Sequence, residues 1–371
     1  MMADFELSEP TSQRVKSIDA LRGFDMFWII GGGSLVRSFA EVYPCSFLKF
    51  LSSQCEHVRW EGFRFEDLIF PLFLFIVGVV LPYSISSRMQ RGATHKQLYY
   101  HIFLRTAILL VMGLVFNGLL NFDFARMRYA GVLQRIAICY FFASLLTMHC
   151  KVRGLAITLV SILVLYWAAL MLVPVPGFGA GVITPEGCLS SYIDQKLLIG
   201  SLYYGYGDNE GILSTLPAVC SCLLGVLAGY WLRSGKSPER KAGGLLGAGL
   251  LCLLLGFLWG KQFAIIKVIW TSSFVLFAGG WSLLLLALFY YVIDVRKCWK
   301  WSFFFIVIGS NAIAIYFLQR VVDFREIAEF FCGGLASASG PWGAVILVVG
   351  VIAIKWLLLW FLYRRRIFLK V

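Results

Sequence analysis

The sequence predicts an all-α integral membrane protein: a polytopic, multi-pass bundle of about ten transmembrane helices with both termini in the cytoplasm. Three observations predict it. Hydrophobic residues make up 60% of the 371 and charged ones 14%, against about a quarter charged in an ordinary soluble domain, and the mean hydropathy is +0.80. The apolar residues gather in runs of about 20, the length that crosses hydrocarbon as a helix. The basic residues lie in short clusters between those runs, so the net charge of +13 speaks of membrane orientation and not of nucleic acid.

Residues 1–16 form a polar tail of mixed charge without the basic start and apolar middle of a cleaved signal, so the first span serves as the targeting signal. The expected spans are 18–38, 66–87, 98–120, 129–149, 154–174, 211–232, 242–260, 267–293, 301–320 and 341–363. An even count puts both termini on one side. Arg88, Arg91, Lys96, Lys151, Arg153, Arg233, Lys236, Arg240, Lys241 and the run Arg364-Arg365-Arg366 then share that side, which the positive-inside bias makes cytoplasmic. The remainder, 17–371, reads as one transmembrane domain with long outer loops at 39–65, 175–210 and 321–340, where function concentrates. Pro174-Val175-Pro176-Gly177 cannot be helical, and the Tyr-rich and Gly-rich stretch from Tyr203 to Gly207 suits a carbohydrate. Gly243, Gly244 and Gly247 read as close helix packing. The ten Cys show no zinc-type or redox-type spacing, so no metal site is expected; in an oxidising compartment Cys45, Cys55, Cys188 and Cys332 allow three pairings.

Chemistry-bearing residues are few. Of the four His, the topology puts His95, His101 and His149 on the inner side and His57 alone outside. An imidazole titrates near neutrality and can take a proton from an attacking amine or hydroxyl; the bland alternative is a surface histidine. Asp67, at the start of a helix, is better fixed than Glu56 to orient the ring. Charges inside spans are costly and usually functional. Asp19, Arg22 and Asp25 lie in the first span, Arg105 in the third, Arg135 in the fourth and Lys355 in the last. Arg22, Arg105 and Lys355 make a candidate polyanion pocket; bridges from Asp19 or Asp25 to Arg105 are the structural alternative. Gln134, Asn209, Glu210 and mid-span Asn311 serve equally as helix caps, interhelical bonds or ligand contacts. No Walker loop, Rossmann fingerprint, zincin motif or Gly-x-Ser-x-Gly elbow occurs.

The stretch Ser17-Ile18-Asp19-Ala20-Leu21-Arg22-Gly23-Phe24-Asp25-Met26-Phe27-Trp28, read with His57-x-x-Trp60-x-Gly62 and Asp67-Leu68-Ile69-Phe70-Pro71, resembles the heparan-α-glucosaminide N-acetyltransferase family. That family comprises a lysosomal enzyme and bacterial relatives among the transmembrane acyltransferases. Gly131-Val132-Leu133-Gln134-Arg135, Pro174-Val175-Pro176-Gly177, Glu210-Gly211-Ile212-Leu213 and the segment from Asn311 to Tyr316 extend the likeness in collinear order over nearly the whole chain. The resemblance implies an N-acetyltransferase that moves an acetyl group from cytosolic acetyl-CoA to the amine of a glucosamine-type sugar on the far side, and it places His57 at the family's catalytic His.

On that reading Asp67 orients His57, and Arg22, Arg105, Gln134, Arg135 and Lys355 hold acetyl-CoA. Glu56, Trp60, Asn209, Glu210, Trp270 and Asn311 meet the sugar, with Trp270 or a side-chain amide beside the developing oxyanion. Expected partners are an amino sugar or glucosamine-terminated glycan, acetyl-CoA and membrane lipid, with a homodimer by analogy and no nucleic acid. Ile29, ahead of Gly31-Gly32-Gly33, and Gln319 stand where the lysosomal enzyme has Asn and His. Its lumenal N-terminal region has no counterpart here. These departures point to a bacterial inner-membrane protein acting on smaller amino sugars. An O-acyltransferase of a surface glycan and an amino-sugar transporter are the alternatives. Transporters are commonly built from inverted repeats with broken helices, of which the sequence gives no sign.

Overall fold

The computed structural model describes residues 15–369, so the expected tail at 1–16 lies outside the described residues except for its last two positions. The apolar runs fold into helices: α1 (Lys16–Phe27), α2 (Gly33–Val42), α3 (Ser46–Gln54), α4 (Phe65–Gln90), α5 (His95–Phe116), α6 (Val132–His149), α7 (Val152–Leu172), α8 (Leu189–Leu197), α9 (Thr215–Leu232), α10 (Pro238–Gly260), α11 (Ser272–Phe289), α12 (Phe303–Ser310), α13 (Ala312–Val321), α14 (Phe324–Ala338) and α15 (Gly343–Arg364). Local chemistry sets several starts. Thr94 and Gln97 form a reciprocal capping box on α5, Ser237 caps α10 ahead of Pro238, and Asp323 accepts the Arg325 and Glu326 N–H groups at the start of α14.

Eight described helices are long and apolar enough to cross a membrane, and the bent pair Lys300–Ser310 and Ala312–Val321 makes nine if counted as one span. The first expected span, 18–38, is the one that stands outside this count. That segment is helical, but it carries Asp19, Arg22 and Asp25 and breaks at Gly31, whose φ of 158° is non-helical. A second break, of 59°, falls at Asn311. All three stretches expected as long loops also hold helices: α3 within 39–65, α8 within 175–210 and α14 within 321–340.

The described residues cluster into two compact units. The first contains Trp60–Gly62 and Phe70–Leu288. In it α4 and α9 cross at closest backbone approach: a Cβ on Gly78 would overlap the Cys222 carbonyl, and one on Gly225 the Phe75 carbonyl. Helices α5 and α6 pack together, and α6 and α7 both pack on α9. Gly244 meets the Trp231 ring, whereas Gly243 and Gly247 have nothing within 4 Å of a Cβ, which corrects the reading of all three as packing residues. Tyr166, Leu170, Val175, Cys188, Leu189, Phe263, Ile266 and Ile269 form an apolar cluster against which Trp60 packs.

The second unit contains Val15–Arg59, Phe63–Ile69 and the chain from Phe289 onward. Here α1 packs on α12 through Gly23 and Gly309, whose added Cβ atoms would strike the Phe305 and Asp19 carbonyls. Helix α14 packs on α15. All ten cysteines are free thiols.

Candidate active site

His57 and Asp67 come together within the second unit. His57 Nδ1 lies 3.0 Å from Asp67 Oδ1; the imidazole is half exposed, while the carboxylate side chain is 1% exposed. The other carboxylate oxygen accepts the Arg64 N–H at 3.1 Å and the Val58 N–H at 3.4 Å. Three bonds therefore hold Asp67, and with Nδ1–H donating to it the ring's lone pair sits on Nε2. The loop is tied on both sides. Arg37 Nη1 donates to the Cys55 carbonyl at 2.7 Å, Gln54 Oε1 accepts the Phe65 N–H at 3.2 Å, and Arg64 pairs with Glu56 at 3.5 Å.

Several other polar groups of this unit are occupied in ways the sequence did not disclose. Lys355 Nζ, buried on α15, donates to the Ile30 carbonyl at 2.9 Å and to Gln319 Oε1 at 3.2 Å. Ile30 directly precedes the break at Gly31, so Lys355 caps a carbonyl that a continuous helix would have paired. Arg22 lies 3.6 Å from Asp19 and 3.4 Å from the Gly309 carbonyl. Asp25 is fully buried with neither oxygen hydrogen-bonded among the described residues. Asn311 donates to the Ile367 carbonyl at 3.0 Å and accepts the Leu369 N–H at 2.8 Å, which ties the second break to the C-terminal segment.

The first unit holds a separate polar cluster. Arg135 on α6 is 1% exposed and donates to Ser214 Oγ at 2.5 Å and the Gly211 carbonyl at 3.2 Å, with its guanidinium 5.0 Å from the Trp270 ring. Trp270 commits its N–H to Ser221 at 3.1 Å, so it supports Arg135 with its face. Arg135 Nε and Nη1, Gln134 Nε2 and Arg105 Nε are buried without acceptors among the described residues. Arg105 stacks over Tyr140 at 4.4 Å.

Beside them Arg128 grips Asp208 at two points, 2.5 and 2.8 Å, and also bonds Glu210. Asp194 accepts the Ile212 N–H at 2.9 Å and the Asp208 N–H at 3.3 Å. Burial pushes the Asp194 carboxyl up to about 6 despite those bonds. Burial acts the same way on Asp208, but the bonds and charge of Arg128 outweigh it and hold Asp208 below its ordinary value. Asn209 is half-buried next to this clamp. Trp60 donates its N–H to the Ile183 carbonyl at 3.0 Å and meets Tyr206 edge-on, while Tyr206 stacks on Tyr204 at 5.3 Å. These rings, with exposed Tyr203, form an aromatic surface of the kind that carries sugar rings.

Two curated proteins align with the chain over most or all of its length. The human heparan-alpha-glucosaminide N-acetyltransferase is 27% identical over 376 residues, covering 84% of this chain. The mouse protein of the same name is 26% identical over 434 residues, covering all of it. The chain is similar to heparan-alpha-glucosaminide N-acetyltransferases. That finding supports the family read from the motifs. The chain spans 53% and 63% of the two relatives' own lengths, and no family model matches it. Of the polar residues in the cluster, Arg128, Asp194 and Asp208 escaped the sequence reading. Their partners stand as many as 82 positions apart, and the one available signal was charge in a loop otherwise rich in Tyr and Gly.

Proposed function

We propose that this chain is a transmembrane N-acetyltransferase that moves an acetyl group from cytosolic acetyl-CoA to the amine of a glucosamine-type sugar on the opposite side of the membrane. The observation that carries this reading is the His57–Asp67 pair, a partly exposed imidazole on a buried, triply held carboxylate. Likeness to two proteins named for that reaction supports it. The reaction forms a C–N bond at the thioester carbonyl and breaks its C–S bond. His57 Nε2 takes the proton that the amine loses, Asp67 stabilises the resulting imidazolium, and the proton then passes to the leaving sulfur. Such general-base help is worth about 10²- to 10⁴-fold.

The first unit's donors fit an acyl carrier. Arg105 Nε, Gln134 Nε2 and the two unused nitrogens of Arg135 lack acceptors among the described residues, and the pantetheine arm of CoA brings two amide carbonyls. The acceptor meets Trp60, Asn209 and Glu210, where rings and carboxylates suit a sugar. Glu56 and Arg22 remain among the proposed acceptor and donor contacts respectively, whereas Trp270, Asn311 and Lys355, expected there from the sequence, spend their polar groups on protein partners. The setting we propose is a bacterial inner membrane, with a homodimer by analogy to the family.

The two helix breaks revive the transporter reading, since broken helices at mid-membrane often mark transport sites. Here the Ile30 carbonyl is capped by Lys355 and Asn311 is bound to the C-terminal segment, which leaves those groups committed to protein. Mass spectrometry of the product tests the assignment. A base-stable acetamide on glucosamine supports N-acetylation, and a hydroxylamine-labile ester moves the assignment to O-acylation. Glucosamine uptake into proteoliposomes without acetyl-CoA sinks the enzyme reading in favour of transport.

A further inference from the structure

The C-terminal end of α4 carries an unbalanced positive charge beside a recess. Ser84, Ser87 and Arg88 share one face of α4 at spacings of three and one, and Arg91 follows directly after the helix end, its N–H still donating to the Ser87 carbonyl at 3.3 Å. With Ala93 they line a cavity of about 340 Å³. The sequence has no Asp or Glu between Asp67 and Asp123, so neither the rest of α4 nor α5 offers a carboxylate to Arg88, Arg91, Lys96 or Arg105.

Arg88 turns instead to a histidine, its Nη2 lying 2.8 Å from His101 Nε2, a contact that needs the ring neutral and accepting. Arg105 lies one turn further along α5 with Nε lacking an acceptor among the described residues. On the neighbouring α9 end, Arg233 donates to the Pro82 carbonyl and Ser86 Oγ, each at 2.6 Å, which brings a further guanidinium against this stretch of α4. The α5 N-terminus, the positive end of that helix, follows directly after Ala93.

Cations at a helix C-terminus complement its dipole, and cytoplasmic loops collect them in any case. Those effects account for the charge but not for two hydroxyls and two guanidiniums converging on one cavity. Such a donor set, rich in N–H and O–H and without a carboxylate, matches the oxygens of a phosphate or diphosphate. We propose that this recess binds the phosphate groups of acetyl-CoA, an assignment that rests on the acetyltransferase reading for its source. A phospholipid headgroup shares that chemistry.

The test is calorimetric titration of inorganic diphosphate into the full-length protein in a phosphate-free detergent, beside Arg88→Gln, Arg91→Gln and the milder Ser87→Ala, each checked for an unchanged melting temperature. The wild type binds, each arginine variant weakens binding tenfold or more, and Ser87→Ala weakens it a few-fold. Absent binding to the wild type, or equal binding by all four, overturns the pocket even if the protein transfers acetyl groups. CoA displacing diphosphate assigns the pocket to the acyl donor. If a short-chain phosphatidylglycerol displaces it and CoA does not, the donor assignment is overturned. A protein that binds diphosphate at the recess but neither binds CoA nor transfers acetyl loses the enzyme reading and keeps the pocket.

Discussion

Asp67 acts on His57 in two ways: it fixes which ring nitrogen carries the lone pair, and it stabilises the ring once protonated. Asp67→Asn keeps the size but removes the charge, and its amide can hold the ring in the other tautomer. The variant is expected to lose at least tenfold in turnover with a changed pH–rate profile; normal turnover with an unchanged profile would show that Asp67 does not position the base. Lys355 makes a different kind of prediction. Lys355→Met leaves the Ile30 carbonyl buried without its donor, at a cost of about 1 to 3 kcal/mol, read as a lower melting temperature that Lys355→Gln partly restores.

Asp194 gives stability a pH dependence. Its carboxyl titrates at about 6 in the fold and near 4 in an unfolded chain, so between those values the folded state holds the proton more tightly. Its contribution is full below about pH 4 and is lost as pH rises through 6. Lowering the pH from 7 to 5 should therefore raise the melting temperature by an amount that vanishes in Asp194→Asn. Asp208 acts oppositely: its contribution is present at neutral pH and falls away as the pH drops below the ordinary carboxylate range. The window from 7 to 5 keeps the two apart, and equal behaviour of wild type and Asp194→Asn across it would contradict the assignment.

At the level of elements, the spans were legible because a run of about 20 apolar residues has few other fates. The nearness of His57 to Asp67 was legible because a short loop leads from the one to the other in the first turn of α4. What was not legible depends on partners distant in sequence. The break at Gly31 needs Lys355, more than 300 positions away, and Asn311 reads as a polar residue inside a span until the C-terminal segment is placed on it. The stretch from Asp323 to Ala338 looked like a loop because it is short and mixed in polarity, yet its cap and its packing on α15 make it a helix. Glycine runs misled for a related reason: a crossing is defined by two backbones, and among the described residues Gly78 with Gly225, Gly23 with Gly309 and Gly249 with Gly280 meet a partner backbone, whereas Gly243 and Gly247 meet nothing. Gly225→Ala should cost about 1 to 3 kcal/mol through overpacking, whereas Gly243→Ala, with open space around it, should leave the melting temperature unchanged or slightly raised. Similar losses for both would remove the case for the α4–α9 crossing.

At the scale of the whole molecule, the described residues include eight to nine apolar spans, and each compact unit has its own polar cluster. The second unit holds a base on a buried carboxylate, and the first holds buried donors without acceptors beside an aromatic surface. Membrane interiors tolerate such groups only where function or close pairing retains them. Similarity to heparan-alpha-glucosaminide N-acetyltransferases extends over 84% and 100% of the chain. The most direct test is transfer of label from radioactive acetyl-CoA to free glucosamine by the purified protein in detergent, with His57→Ala beside it. The account predicts labelled N-acetylglucosamine from the wild type and a loss of about 10²- to 10⁴-fold in the variant. Undiminished transfer by His57→Ala would contradict it.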